Sequence, residues 1–348
     1  MKGLFGLTES EIKSWVVEKG EKPFRATQIF EWIYQKQALS WEEMTNLSKS
    51  FRDTLAQSFT LHALKLVRAV DSADGETTKF LWQLADGKLV ESVLIYAPGR
   101  RTVCVSSQVG CPARCAFCAS GKQGLKRNLS VEEIVEQVVL IDQQLHQKGE
   151  RVCHVVFMGM GEPFENYENV LRAILLLNDP KGLNISQRKI TVSTVGIVEN
   201  IVRFADEGLQ VNLALSLHAP NQRIRQKIIP YARKYALEDL LNAMLYFTKK
   251  TKRDITYEYT LLAGINDSKE QAQELARLLK GHPCTVNLIP YNPIDGIRLN
   301  RPEKEQIELF RHVLDEAKIP NTCRYTKGKD IAAACGQLAL KEESPLNS

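Results

Sequence analysis

The chain has 348 residues, 44% of them apolar, with 46 basic and 41 acidic side chains for a formal net charge of +5. That length suits one large domain, or a large domain with a small partner, and the apolar share is ample for a core. The mild positive excess permits an RNA partner without requiring one, and no stretch reaches the ~18 apolar residues of a membrane span. Eight cysteines are few for a secreted disulfide scaffold. The opening MKGLFGLTESEIK turns polar too early for a signal peptide, so a cytoplasmic, reducing setting is expected.

Residues 1–60 read as helices. Thr8 with Glu11 forms a capping box, Phe24, Ile29, Phe30, Ile33 and Tyr34 recur at helical spacing, and Ser40 with Glu43 repeats the cap signal before the next helix. Residues 64–106 change period. LKLVRAV, TKFLWQL, LVESVLI and RTVCVSS are short β-rich runs, and ADG at 73–75 and 85–87 marks two hairpin turns.

Next comes VGCPARCAFCASG, with Cys111, Cys115 and Cys118 in a C-x3-C-x2-C spacing. Clustered cysteine thiolates hold iron–sulfur clusters. Three thiolates for a four-iron cubane leave one iron open to another ligand. An open iron beside a bound sulfonium can pass one electron into a C–S bond, which makes the run a site for generating radicals. The competing reading is a structural zinc site, which usually takes four protein ligands in two halves, and no second half follows soon after.

From residue 130 the pattern alternates. SVEEIVEQVVLIDQQL is a capped amphipathic helix starting at Ser130, and strands follow near 153–157, 189–194, 211–217, 254–262, 285–289 and 321–326, separated by helices. Alternation of this kind predicts an α/β fold with a parallel sheet, and six to eight units can close or partly close into a barrel. Functional residues then belong at the C-terminal ends of the strands. GMGEP at 159–163, TVG at 194–196, LHAP at 217–220 and YNP at 291–293 each follow an apolar strand. Any one is readable as a simple turn. Together with the cysteine run they outline one ligand cavity, and none is a dinucleotide fingerprint or a P-loop.

VSSQVGCPARCAFCASG, FMGMGEP, ITVSTVG, LSLHAPN, NLIPYNP and DIAAACGQL resemble the radical S-adenosylmethionine (SAM) methyltransferases that methylate adenine C2 in ribosomal and transfer RNA. The resemblance runs from the N-terminal helices to about residue 340. It implies a radical SAM partial (β/α)6-type, TIM-like barrel over 101–340, a small helical accessory domain over 1–60 that grips RNA, and a β-hairpin extension over 61–100. The last eight residues, 341–348, read as a frayed tail.

The same resemblance implies site residues. Cys111, Cys115 and Cys118 correspond to the ligands of one [4Fe-4S] cluster. Gly161, Glu162, Ser193, Ser216, Leu217, His218 and Asn292 correspond to SAM contacts. Glu162 suits the SAM ammonium by charge. Cys335 resembles a methyl-carrying cysteine, Cys104 a second redox cysteine, and Glu91 an acid beside the target base. On residue type alone Cys104 reads as a buried apolar cysteine and Glu91 as an ordinary hairpin glutamate. Cys153, Cys284 and Cys323 are left as packing residues.

The implied chemistry uses two SAM molecules in turn. One methylates Cys335. The other is split to a radical that draws a hydrogen from that methyl, and the resulting carbon radical adds to the electron-poor C2. Cys104 then releases the product and leaves a disulfide for an external reductant. The implied partners are 23S ribosomal RNA before full ribosome assembly, modified in the peptidyl transferase centre, and transfer RNA, modified at the adenine next to the anticodon. An electron donor such as flavodoxin is also implied, with no membrane, and the chain acting as a monomer.

An adenine entering the barrel mouth calls for phosphate contacts. Lys122, Lys126 and Arg127, then Arg223, Arg225 and Lys227, then Lys249, Lys250, Lys252 and Arg253 are candidates, each also readable as a solvated surface. Three rival readings stay open on the sequence. They are the related adenine-C8 ribosomal RNA methyltransferase, a non-catalytic zinc-containing RNA-binding module, and a radical SAM enzyme with a small-molecule substrate.

Overall fold

The computed structural model describes residues 2–324 and 327–338. A ten-stranded sheet organises it. Its strands are β1 (Leu64–Asp71), β2 (Thr77–Leu84), β3 (Leu89–Ala97), β4 (Arg100–Cys104), β5 (His154–Phe157), β6 (Ile190–Thr194), β7 (Asn212–Ser216), β8 (Ile255–Leu261), β9 (Cys284–Pro290) and β10 (Asn321–Cys323). Every strand lies beside its neighbours in sequence, with β1 and β10 at the edges, so the barrel is open. β1 to β4 pair antiparallel, the first two hairpins through the ADG turns and the third through Pro98 and Gly99. From β4 to β10 all pairing is parallel. The hairpins therefore continue the barrel sheet, and the parallel part has seven strands, the last only three residues long.

Parallel neighbours need a crossover, and helices supply it here. Val131–His146, Tyr167–Asn178, Val198–Asp206, Leu237–Thr251, Lys269–Leu278 and Lys304–Glu316 run back between successive strands. Central strands are covered on both faces, and Tyr257, Tyr259, Leu261, Leu213 and Leu215 are fully buried. Each crossover helix ends at the bottom of the sheet, leaving the C-terminal strand ends as the mouth.

The N-terminal unit has helices Glu9–Glu18, Phe24–Tyr34 and Lys49–Ser58. The Thr8 box is formed, with the Glu11 N–H donating to Thr8 Oγ1 at 3.2 Å and the Thr8 N–H to Glu11 Oε2 at 2.8 Å. Ser130 and Glu133 form the second box. The expected cap at Ser40 is not made. Ser40 precedes only a single 3-10 turn, Trp41–Glu43, and Ser48 caps the next helix by accepting from the Phe51 N–H at 3.3 Å. Ile29, Phe30, Ile33 and Tyr34 are buried as their spacing predicts, while Phe24, at the first helical position, is half exposed. Strand Lys2–Gly3 pairs with Phe59–Thr60 and ties the two ends of the unit together. The end of the strand expected at 321–326 (residues 325 and 326) and the expected tail at 341–348 lie outside the described residues.

Candidate active site

Cys104 is the last residue of β4, and the chain runs from it straight into the cysteine loop. Gln108–Val109 pair antiparallel with Arg127–Asn128 and close the base of that loop. Gly110 has φ +75°, and a Cβ there would lie 1.9 Å from the Gly124 carbonyl oxygen, so only glycine lets the two arms meet. Within the loop the Ala116 N–H donates to the Ile228 carbonyl at 2.8 Å.

Cys111 and Cys115 are buried and Cys118 is partly so. Burial pushes all three thiols up, and repulsion from the other thiols adds to this at Cys111 and Cys115. Backbone N–H groups counter it, from Ala113 onto Cys111 and from Gly121 and Ser120 onto Cys118. Three thiolates in so apolar a place need cations to be stable. Among the described residues no three His, Cys, Asp or Glu side chains converge as ligands of one ion. In a cluster each sulfur binds its own iron, so the three need not converge on one ion, and the donor set fits a [4Fe-4S] group.

Glu162 follows β5 and is 2% exposed. Its Oε1 accepts from Thr194 Oγ1 at 2.7 Å and the Phe164 N–H at 3.0 Å, and its Oε2 from the Val195 N–H at 2.7 Å. It thus joins the loops after β5 and β6, and Oε2 keeps a lone pair for a cationic ligand. Burial outweighs these bonds and pushes its pKa up to about 7. Gly161 has φ +111°, and a Cβ there would sit 2.7 Å from Gln108 Cβ and Ser107 Oγ, which packs the strand-end loop directly on the cysteine loop. Ser193 Oγ lies 3.4 Å from Ser216 Oγ across β6 and β7.

His218 follows Leu217 at the end of β7, with φ +55° and 5% exposure. The Thr260 N–H donates to its Nδ1 at 2.9 Å, which puts the proton of the neutral ring on Nε2. Burial, and then Arg225, push its pKa down to about 3. The ring packs edge-on to Phe117, between Cys115 and Cys118, at 4.8 Å.

The C-terminal segment closes the mouth. The Ala119 N–H donates to the Gly336 carbonyl at 2.8 Å, Ser120 Oγ to the Leu338 carbonyl at 2.7 Å, and Asn292 Nδ2 to the Cys335 carbonyl at 3.2 Å. Cys335 has exposed surface, yet its thiol is crowded, and burial followed by Glu258 pushes its pKa up to about 11. Cys335 also feels Cys118 and Arg324. Cys104, pushed up to about 12 by burial, is next raised by Cys335. Residues 104, 118 and 335 therefore share one mouth. Glu91, on β3, is 3% exposed and 3.2 Å from Lys79 Nζ.

Residues 2–61 match the ribosomal RNA large subunit methyltransferase N-terminal domain, and residues 105–279 the radical SAM superfamily. A probable dual-specificity RNA methyltransferase RlmN 2 from Protochlamydia amoebophila is 64% identical over 332 residues, spanning 95% of this chain and 93% of that protein. The chain belongs to the dual-specificity RNA methyltransferase RlmN family. An RlmN relative from Thermotoga neapolitana is 47% identical and covers 99% of each chain. A radical SAM methyltransferase from Sphaerobacter thermophilus superposes with a TM-score of 0.95 at 45% identity, over 97% of this chain and 99% of that one.

Placed on this RlmN-family fold, the basic runs read differently from the sequence. Arg127 is forked onto Glu133, at 2.8 Å for both bonds, and bonded to Asp86 at 2.7 Å. Arg225 is 1% exposed and turned inward. Lys249 and Lys250 lie in the last turn of a crossover helix and Lys252 and Arg253 follow it, so the run sits at the bottom of the sheet, opposite the mouth. Lys122, Lys126, Arg223 and Lys227 remain exposed on segments after the C-terminal ends of β4 and β7.

One residue that sequence reasoning passed over also faces this site. Glu258, in β8, is 4% exposed and accepts from Asn287 Nδ2 at 2.6 Å. Its Oε1 has no hydrogen-bond partner among the described residues and lies 3.7 Å from Arg324. The signal was present, since a glutamate amid the buried tyrosines of ITYEYTL is costly without a task.

Proposed function

We propose that this chain is a radical SAM methyltransferase that methylates C2 of adenine in 23S ribosomal RNA and in transfer RNA, through a methylated Cys335 and a transient protein–RNA adduct. It acts in the cytoplasm as a monomer with an external electron donor of the flavodoxin kind. The observation that carries this reading is the docking of the Cys335 segment across the cysteine loop, in electrostatic reach of both Cys104 and Cys118. Cys111, Cys115 and Cys118 would hold the cluster, with SAM bound by Gly161, Glu162, Ser193, Ser216, Leu217, His218 and Asn292. When bound, these groups supply a carbon-centred radical that draws a hydrogen atom from a methyl group.

The protein's own part is to hold that methyl and to release the product. Cys335 must lose its proton to accept a methyl, and Arg324 favours the thiolate while Glu258 and burial oppose it. After carbon–carbon bond formation the odd-electron adduct gives up one electron to the oxidised external redox partner and its C2 proton to a base, and the Cys104 thiolate then attacks the Cys335 sulfur. An S–S bond forms, the C–S bond to the RNA methylene breaks, and the freed carbon takes up a proton to become the methyl. Two electrons from an external reductant reopen the disulfide. Glu91, paired with Lys79, would accept the C2 proton. Mass spectrometry of nucleosides from cells lacking the gene tests the reading. Loss of 2-methyladenosine from both RNAs is expected, whereas loss of 8-methyladenosine, or no loss, overturns it.

A further inference from the structure

Arg225 lies in the helix Gln222–Ile228, after β7, and its side chain is fully buried. The guanidinium donates to the Leu217 carbonyl at 3.2 Å, the Ser216 carbonyl at 3.3 Å and the Val195 carbonyl. These acceptors are neutral, and among the described residues no carboxylate pairs with it. A buried cation is expensive unless an anion compensates it. The fold points to where that anion lies. The helix carrying Arg225 ends at Ile228, whose carbonyl accepts from Ala116, between Cys115 and Cys118. Cys115 is the group whose charge favours the Arg225 cation, and Arg225 in turn favours the Cys115 thiolate.

We propose that Arg225 is the fixed counter-charge of the iron–sulfur site, placed there to favour uptake of an electron. The inference rests on Cys111, Cys115 and Cys118 holding the cluster. Reduction adds one negative charge to that site, supplied by a low-potential one-electron donor. A permanent cation close by, screened from water, favours the reduced state. Arginine rather than lysine is fitted to the place, because its planar fork reaches three carbonyls at the ends of β6 and β7 and stays charged when buried. It is thus a positioning residue for the strand-end loops and an electrostatic one for the cluster.

The test compares Arg225→Gln, Arg225→Met and Arg225→Lys with the wild type. Each is prepared anaerobically and titrated with dithionite and redox mediators, with the reduced cluster read by electron paramagnetic resonance. Iron is counted first. Wild type without about four irons per chain would remove the cluster reading itself, whatever Arg225 does. With iron in place, the neutral variants are expected to be reduced about tenfold less readily, a midpoint about 59 mV lower for a one-electron couple. Lysine, which keeps the charge, is expected to stay within about threefold of wild type by the same relation. A neutral variant with full iron and an unchanged midpoint overturns the proposal. If neither neutral variant folds, as read by circular dichroism of the iron-free chain, the lysine variant decides. A tenfold fall there, despite the retained charge, assigns the effect to geometry alone and overturns the proposal, and a wild-type midpoint supports it.

Discussion

Cys104 separates a packing role from a chemical one. If it frees the product, Cys104→Ala should still be methylated on Cys335, and RNA should then stay bound to the protein under denaturing conditions. A packing cysteine truncated to alanine would cost on the order of 1 kcal/mol and trap no RNA. A folded variant with normal turnover and no adduct would return Cys104 to packing. His218 gives a prediction about acid. Its folded-state pKa of about 3 lies below the ordinary 6.5, so the unfolded chain binds the proton first as pH falls. The stability of the neutral buried ring is therefore complete above pH 6.5 and is lost progressively down to pH 3. It amounts to roughly 5 kcal/mol on the linkage relation. Denaturant unfolding of wild type and His218→Asn should diverge at pH 7 and converge toward pH 3, asparagine being at ease with the positive φ. Equal pH slopes in the two chains would refute the buried neutral histidine. At this scale the motif residues were legible because their spacing is itself the signal. The burial of Arg225 was not, since it depends on which way the helix faces, and Glu258 was passed over although its apolar strand carried the signal.

Between residue and molecule stands the cysteine loop, whose shape depends on glycine at 110. Gly110→Ala must either clash with the Gly124 carbonyl or part the two arms. We expect it to lose most of its iron while the iron-free chain keeps its secondary structure. Iron retained at the wild-type level would show that the arms can part without consequence. At the N-terminal unit, Thr8→Ala removes a formed capping box and should cost about 1 kcal/mol in denaturant unfolding, with little change in turnover. The strands and hairpins were legible because apolar period and ADG turns agree, and observed ends fall within a residue or two of the expected ones up to β9, save RTVCVSS, where β4 stops three residues short at Cys104. Ser40 failed for a local reason. A cap signal needs a helix to follow, and Met44, Thr45 and Asn46 carry the chain through a turn before Ser48 caps the true start. The basic run Lys249 to Arg253 misled because charge on a sequence does not say at which end of the sheet it falls.

At the scale of the whole molecule the N-terminal unit is seated on the barrel, a seat we propose fixes RNA relative to the mouth, and one buried carboxylate does much of the fastening. Glu136, in helix Val131–His146, is fully buried. Its Oε1 lies 2.6 Å from His62 Nδ1, and its Oε2 accepts from the N–H groups of Ala63 and Leu64 at 2.7 and 3.0 Å. Those three residues are the junction between the N-terminal unit and β1. Burial pushes the Glu136 carboxyl up, and the imidazole and two N–H groups offset this only in part. The carboxylate in turn raises the His62 pKa against the effect of burial. Gln37 to Asp142 at 2.8 Å and Arg172 to Glu11 add further ties between the unit and the barrel helices. Glu136→Ala leaves two backbone donors without an acceptor in a dry place and should cost roughly 3 kcal/mol. Among the described residues no hydrogen bond links the cysteine loop or the Cys335 segment to this junction. The variant should therefore keep its iron and its reductant-driven SAM cleavage, become open to limited proteolysis near residues 61–64, and methylate folded RNA many-fold more slowly. Equal loss of SAM cleavage and RNA methylation would mean that the junction supports the barrel itself. RNA methylation at the wild-type rate would mean that the N-terminal unit needs no fixed seat.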